Sequence, residues 1–336
     1  MSRLEELQQL ISDISFTGAV LVQRDQEVVI KDGYGEANRS DHILNSADTR
    51  FGIASGCKIF TSIAICQLVE KGQLTFESLL KDLLPISFPH YSDDVTVHHL
   101  LTHTSGIPDY FDESETADFE DIWKDRPMYR MQSPADFLPM FQHEKMKFEP
   151  GAEFSYNNSG FILLGLIVEE LTGMAFTDYV EAHIFKPAGM TDSGYFRMDQ
   201  LPERTALGYI DDEDHWKTNI YSVPVKGGPD GGAFTTVNDL NRLWNSLLSD
   251  EILSEAFRKI LLTPHVLQKG DIYYGYGVWI SMKGKEILKY FVMGFDPGVR
   301  MYSSVNMVTK VQTHVLSNAE ESVYPILEAV DEFFEE

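Results

Sequence analysis

Cysteine is scarce in this chain, with two in 336 residues. Cys57 and Cys66 are nine positions apart, so on one helix they face opposite sides, separated by about 13 Å of rise. A disulfide needs Cα atoms within roughly 7 Å, which excludes a bridge inside that helix. Two free thiols suit a reducing compartment. Positive charge is also short: 27 Lys and Arg stand against 52 Asp and Glu, a net charge of −25. Such a surface repels nucleic acid and anionic membrane and excludes both as partners. Long apolar runs are missing. The longest plausible one, 161–168, is far too short to span a bilayer, so no membrane insertion is expected. The N-terminus reads as an amphipathic helix carrying acidic residues rather than a targeting segment. With the free thiols, this points to a cytoplasmic protein. No Gly-rich phosphate loop, repeat or low-complexity stretch occurs, and no cofactor is implied. The oligomeric state is left open.

A metal site is not expected either. His98, His99 and His103 cluster, and His99 and His103 have the i, i+4 spacing of some zinc sites. No glutamate occupies the His-Glu-x-x-His position and no third ligand is apparent. These histidines read as structural or hydrogen-bonding groups.

What the sequence does contain is Ser55-Gly56-Cys57-Lys58, ahead of an apolar stretch, 59–69, that stops at Gly72. Serine is a poor nucleophile until a base takes its proton. If a helix begins near Ser55, Lys58 lies one turn on and on the same face. The stretch reads as a buried helix with a glycine stop, and a lysine at its head needs a partner because an unpaired buried charge is costly. A lysine so placed serves as a base or passes a proton on. Cys57, between the two, reads as a small apolar filler.

A second constellation is Tyr156-Asn157-Asn158, after the turn at Pro150-Gly151 and before an apolar helix that stops at Gly173. A tyrosine beside a cationic lysine can act as a general base. Asn158 offers a donor and an acceptor to a substrate amide.

Together these segments resemble the serine β-lactamase and penicillin-binding-protein superfamily, in particular its class C β-lactamase, D-stereospecific peptidase and esterase branch. The stretch Leu100-Leu101-Thr102-His103-Thr104-Ser105-Gly106, the segment Gly231-Gly232-Ala233-Phe234-Thr235-Thr236, and Asp296-Pro297-Gly298 carry the resemblance further, in the family's order. It implies an α+β, β-lactamase/transpeptidase-like fold, with Ser55, Lys58 and Tyr156 catalytic and Asn158 binding substrate. The backbone N–H groups of Ser55 and Phe295, just after Gly294, are the implied oxyanion hole. The departure is in the third motif, where Val292-Met293-Gly294 stands in place of Lys-Thr-Gly or His-x-Gly. Valine removes the group that usually binds a substrate carboxylate. Arg300 is the candidate replacement, since strand alternation puts Lys289 on the face opposite Val292.

The organisation is expected to be discontinuous: 1–54 with 195–336 as an α/β sheet domain, 55–194 as a helical lobe, and the active site between them. Strands are predicted over 16–23, 28–33, 276–282, 287–293, 299–305 and 308–316, with a closing helix over 321–334. The acidic stretch 109–125 is expected as a solvent-exposed insertion overhanging the cleft. The expected activity is acyl transfer through a Ser55 acyl-enzyme on a small ester or amide, D-amino-acid derivatives included. A penicillin-binding protein, β-lactamase or D,D-peptidase acting on a β-lactam or peptide is the alternative. A non-catalytic binding protein on the same scaffold is the third reading.

Overall fold

The computed structural model describes residues 3–111, 119–212 and 215–335. Its centre is one eight-stranded antiparallel sheet drawn from both ends of the chain. The strands are β1 (Gly18–Arg24), β2 (Glu27–Tyr34), β3 (Val266–Lys269), β4 (Ile272–Tyr274), β5 (Trp279–Lys283), β6 (Glu286–Asp296), β7 (Val299–Asn306) and β8 (Val311–Ser317), in the spatial order β2-β1-β8-β7-β6-β5-β4-β3. The first strand lies beside the last, with Val20 opposite Val315.

Both faces of this sheet are covered, so its central strands are buried almost throughout, as β8 is at every position. The period of two still sorts side chains. Val20, Val22, Phe291 and Val315 pack with Leu7 and Ile11 of helix α1 (Arg3–Asp13) and with the C-terminal helix. Ala19, Leu21, Val292 and Leu316 face the larger core. That core holds helix α2 (Lys58–Glu70), whose residues 58–68 are all buried, the short helix α3 (Val97–Leu101), and helix α4 (Asn158–Thr172). Helix α4 ends on Gly173 at φ 67°, a left-handed cap that glycine adopts without Cβ strain. The C-terminal helix α5 (Tyr324–Glu335) ties back to the sheet through Lys289, whose amine lies 2.7 Å from Asp331. Lys289 therefore does point away from Val292.

Three expectations need correction. The strand predicted over 276–282 begins at Trp279, because the chain bends at residues 276 and 277 and Gly277 takes φ 70°. The strand predicted over 308–316 begins at Val311, because Asn306 Oδ1 accepts from the N–H groups of Val308 and Thr309 and Lys310 takes φ 61°. That is a side-chain-capped turn, which leaves no strand geometry before Val311. The acidic stretch 109–125 is solvent-exposed only in part where it is described: Asp121, Lys124 and Asp125 are exposed, but Tyr110, Phe111 and Trp123 are not. Residues 112–118 lie outside the described residues, but Tyr110 is only partly accessible and Phe111 and Trp123 are buried. Trp123 Nε1 donates to Ser222 O at 2.9 Å. Acidic composition marked the stretch as exposed, whereas its aromatic residues anchor it.

Candidate active site

Ser55 sits in a tight 3-10 turn, Ala54–Cys57, and Lys58 is the first residue of helix α2. With three residues per turn, positions i and i+3 eclipse, and Lys58 Nζ lies 3.0 Å from Ser55 Oγ. Ala54 is held at φ 45°, a left-handed conformation costly for a residue with a Cβ. The strain is held by pairing on both sides: Ile53 N donates to Ala233 O and Gly232 N to Ala54 O.

The Lys58 side chain is 1% exposed. Its amine donates to Ser55 Oγ, to Asn158 Oδ1 at 2.8 Å and to the Asp230 carbonyl at 2.6 Å. Three acceptors match the three donors of an ammonium, so its buried polar group is fully satisfied. The amine also lies 4.9 Å from the centroid of the Tyr156 ring. That ring is packed against His103, with centroids 4.3 Å apart, and stacked at 12° on Trp279. Ser55, Lys58, Tyr156 and Asn158 thus meet at one place, although they come from two segments about a hundred residues apart.

Gly294 of β6 abuts the Ser55 turn backbone to backbone. A Cβ there would fall 2.1 Å from Ile53 O and 2.9 Å from Gly56 N, so only glycine permits this approach. The ladder of β6 with β5 ends at Phe291, while that with β7 runs on to Asp296. Phe295 lies beside Ser55 at the border of two cavities. One, of about 80 Å³, is narrow and lined by Tyr110, Trp123, Phe137, Asn158, Asp230 and Phe234 among others. The second, of about 530 Å³, is lined by Tyr156, Gln268, Trp279, Met293, Arg300 and Tyr324 among others. Ser55, Phe111 and Phe295 line both. Arg300 reaches the larger cavity with its guanidinium 3.4 Å from the Phe295 ring centroid and donates to the carbonyls of Asp296 and Val299. Val292 lines neither cavity and is 2% exposed within the core.

Four residues that the sequence did not single out as site residues complete the arrangement. Asp109 is half-buried and accepts from the N–H groups of Asn158 and Ser159, each at 2.9 Å. Burial raises its carboxyl to about 6, against the opposing pull of those N–H groups and of Lys58. Asp230 is buried, its carboxyl raised by desolvation; its Oδ2 accepts from Tyr110 Oη at 2.5 Å. The Tyr110 phenol is pushed well above its usual range, first by burial and then by Asp230. His103, read from sequence as structural, accepts from Asn157 N at Nδ1 and is held neutral by burial and by Lys58. His98 and His99 also bond within the protein, His98 Nδ1 with Tyr276 Oη and His99 Nδ1 with Thr96 N. Among the described residues no cluster of three or more His, Cys, Asp or Glu is arranged to hold a metal.

Residues 7–325 match the family model described as Beta-lactamase. Over 288 residues the chain is 31% identical to Penicillin-binding protein 4* of Bacillus subtilis (strain 168), covering 81% of this chain and 61% of that protein. The chain therefore spans about three fifths of that relative's length. The crystal structure of a penicillin binding protein from Bacillus halodurans superposes with a TM-score of 0.94 at 52% identity, over 98% of this chain and 100% of that one. The D-amino acid amidase of Ochrobactrum anthropi SV3, complexed with D-phenylalanine, shares the fold at a TM-score of 0.82 and 22% identity, over 99% of this chain and 98% of that one. With the family model spanning nearly the whole sequence and the fold shared end to end, the chain belongs to the Beta-lactamase family.

Proposed function

We propose that this protein is a serine hydrolase that forms an acyl-enzyme on Ser55 and acts on small esters or amides. The observation that carries this reading is the 3.0 Å contact between Lys58 Nζ and Ser55 Oγ, made by a buried lysine whose other bonds fix it in place. Lys58 and Tyr156 form one proton-transfer unit. Ser55 gives its proton to that unit as Oγ bonds to the substrate carbonyl carbon. The carbonyl oxygen takes the negative charge, opposite the N–H groups of Ser55 and Phe295. Preorganised donors of this kind supply a few kcal/mol of transition-state stabilisation. The unit then returns the proton to the leaving group as its bond breaks, and water repeats the sequence on the acyl-enzyme.

Tyr156 lines only the larger cavity and Asn158 only the narrow one. The leaving group, which takes the proton, therefore departs on the larger side, and the acyl group lies on the narrow, aromatic side. Arg300 stands on the leaving-group side and is positioned to meet a carboxylate there.

The test is hydrolysis of p-nitrophenyl acetate with peptide mapping of the trapped acyl-enzyme. An initial burst and an acetyl group on the Ser55 peptide are expected, both lost in Ser55→Ala. An adduct on Cys57 with Ser55 unmodified would sink the assignment; burial pushes the Cys57 thiol up to about 12, so it is expected to stay inert. A second reading, acylation by penicillins, is favoured by 52% identity to a penicillin binding protein. A fluorescent penicillin retained on Ser55 through denaturation would support it. An absence of both ester and penicillin adducts would favour a non-catalytic role.

A further inference from the structure

The first N–H groups of a helix have no partner within it. In helix α4 the N–H groups at this end are satisfied largely from a distant loop, the one that follows helix α3. The Asn157 N–H donates to His103 Nδ1 at 3.0 Å. The N–H of Asn158 donates to Asp109 Oδ2, and that of Ser159 to Asp109 Oδ1, each at 2.9 Å. Gly160 N donates to Asn157 Oδ1 at 2.7 Å, a local cap. Two side chains add to the Asp109 cluster: Asn158 Nδ2 donates to Oδ2 at 3.3 Å, and Ser159 Oγ donates to Oδ1 at 3.1 Å. Both oxygens of one half-buried carboxylate therefore face donors from two consecutive residues, one of them Asn158.

This fixes which way the Asn158 amide points. An amide has an acceptor end and a donor end. With a carboxylate at one end, only the NH₂ group can face it, and the oxygen is turned toward Lys58 Nζ, 2.8 Å away. Both hydrogens of that NH₂ have protein acceptors, Asp109 and, at 3.5 Å, the Phe111 carbonyl. Asn158 thus acts on Lys58 within the protein, as well as standing in the wall of the narrow cavity.

We propose that Asp109, in its carboxylate form, is a positioning residue for acyl transfer: it orients Asn158 so that Lys58 is held on Ser55, and loss or protonation of the carboxylate releases that alignment. The proposal rests on the Ser55 hydrolase reading. A protonated Asp109 carries an O–H that needs an acceptor, yet its surroundings offer donors. The titratable groups that face it are Lys58 from helix α2, Tyr91 from the turn ahead of helix α3, Tyr110 beside it in sequence, and Tyr156, which lines the larger cavity with it. Burial holds the Tyr91 and Tyr110 phenols protonated, so Lys58 is the cation that opposes protonation of Asp109. The sign follows: alignment is complete above the pH at which Asp109 loses its proton, about 6, and is lost as pH falls through it.

The experiment compares the intact protein with Asp109→Asn and Asp109→Glu. It measures kcat and KM for a p-nitrophenyl ester from weakly acidic to neutral pH, with the thermal midpoint of each variant. In the unmodified protein kcat is expected to fall on the acid side of about 6. In Asp109→Asn kcat should drop by roughly 100-fold with KM little changed, the loss expected from misaligned reacting groups, and the acid limb should disappear. Asp109→Glu should recover part of kcat and restore an acid limb at a shifted pH. A purely structural role would lower the thermal midpoint without moving the pH profile. Wild-type kcat in Asp109→Asn, or an acid limb that persists unchanged in it, overturns the proposal while the hydrolase reading stands. An unmodified protein that forms no Ser55 adduct overturns both. If Asp109→Asn does not fold, the pH profile of Asp109→Glu decides: an unshifted limb rejects the proposal.

Discussion

Asn158 Oδ1 accepts from Lys58 Nζ at 2.8 Å, across 100 residues of sequence. That bond joins the two motif-bearing segments, since Lys58 also reaches Ser55 and Asn158 lies two residues from Tyr156. Removing any one partner leaves a buried donor or acceptor unsatisfied, which costs about 1–3 kcal/mol apart from any chemistry.

If Lys58 and Tyr156 work as one unit, Lys58→Ala and Tyr156→Phe should each lower kcat/KM by about 100- to 10,000-fold, the span of general acid–base catalysis. The double variant should be little worse than either single one, because groups acting together lose their effect together. Losses that multiply in the double variant would mean independent roles.

Arg300 is half-buried and already donates to two backbone carbonyls. A substrate carboxylate in the larger cavity would gain a charged hydrogen bond, commonly about 1.5–3 kcal/mol. Arg300→Met should therefore raise KM for esters bearing a carboxylate on the leaving group and leave neutral esters almost unaffected. Steady-state kinetics on a matched pair of esters checks this; equal losses on both would assign Arg300 to structure.

Val292 marks the departure in the third motif, and its burial changes what substitution there would do. A histidine at this position must enter a core in which valine is 2% exposed. Burying an imidazole without a hydrogen-bond partner costs about 1–3 kcal/mol. Val292→His is thus expected to lower the thermal midpoint without improving turnover of carboxylate-bearing substrates. A gain in penicillin turnover at unchanged stability would contradict this.

Gly294→Ala should remove activity more sharply than its size suggests. Its Cβ would meet Ile53 O and Gly56 N, both backbone atoms of the turn that carries Ser55. Either β6 or the turn must move, and a displacement of about 1 Å can cost roughly 100-fold in rate. The rate of fluorophosphonate labelling of Ser55 reads the effect directly; an unchanged rate would show that the turn tolerates the shift.

Local order was legible in the sequence because periodicity carries it. The Ser55–Lys58 spacing, the apolar stretches that became helices α2 and α4, and the glycine that ends α4 all depend on neighbours within a turn or two. The alternation that placed Lys289 opposite Val292 is of the same kind, and so are the strand pair at the start of the chain and the run of strands at its end. The family resemblance likewise rested on short motifs in order. Tertiary structure alone decided where polar side chains find partners. Asp109 was counted among exposed acids because its neighbours in sequence are acidic. It is instead half-buried and turned inward, because helix α4, 49 residues on, offers it N–H groups that have no partner within the helix. Asp230 meets Tyr110 across 120 residues. Val292 sits where the resembled family usually has Lys or His, but in a core rather than at the wall of a cavity. A sequence window records what a residue is and which face it shares, whereas its solvation is set by the distant chain packed over it, and on solvation depend the charge state and reach of the groups around Ser55.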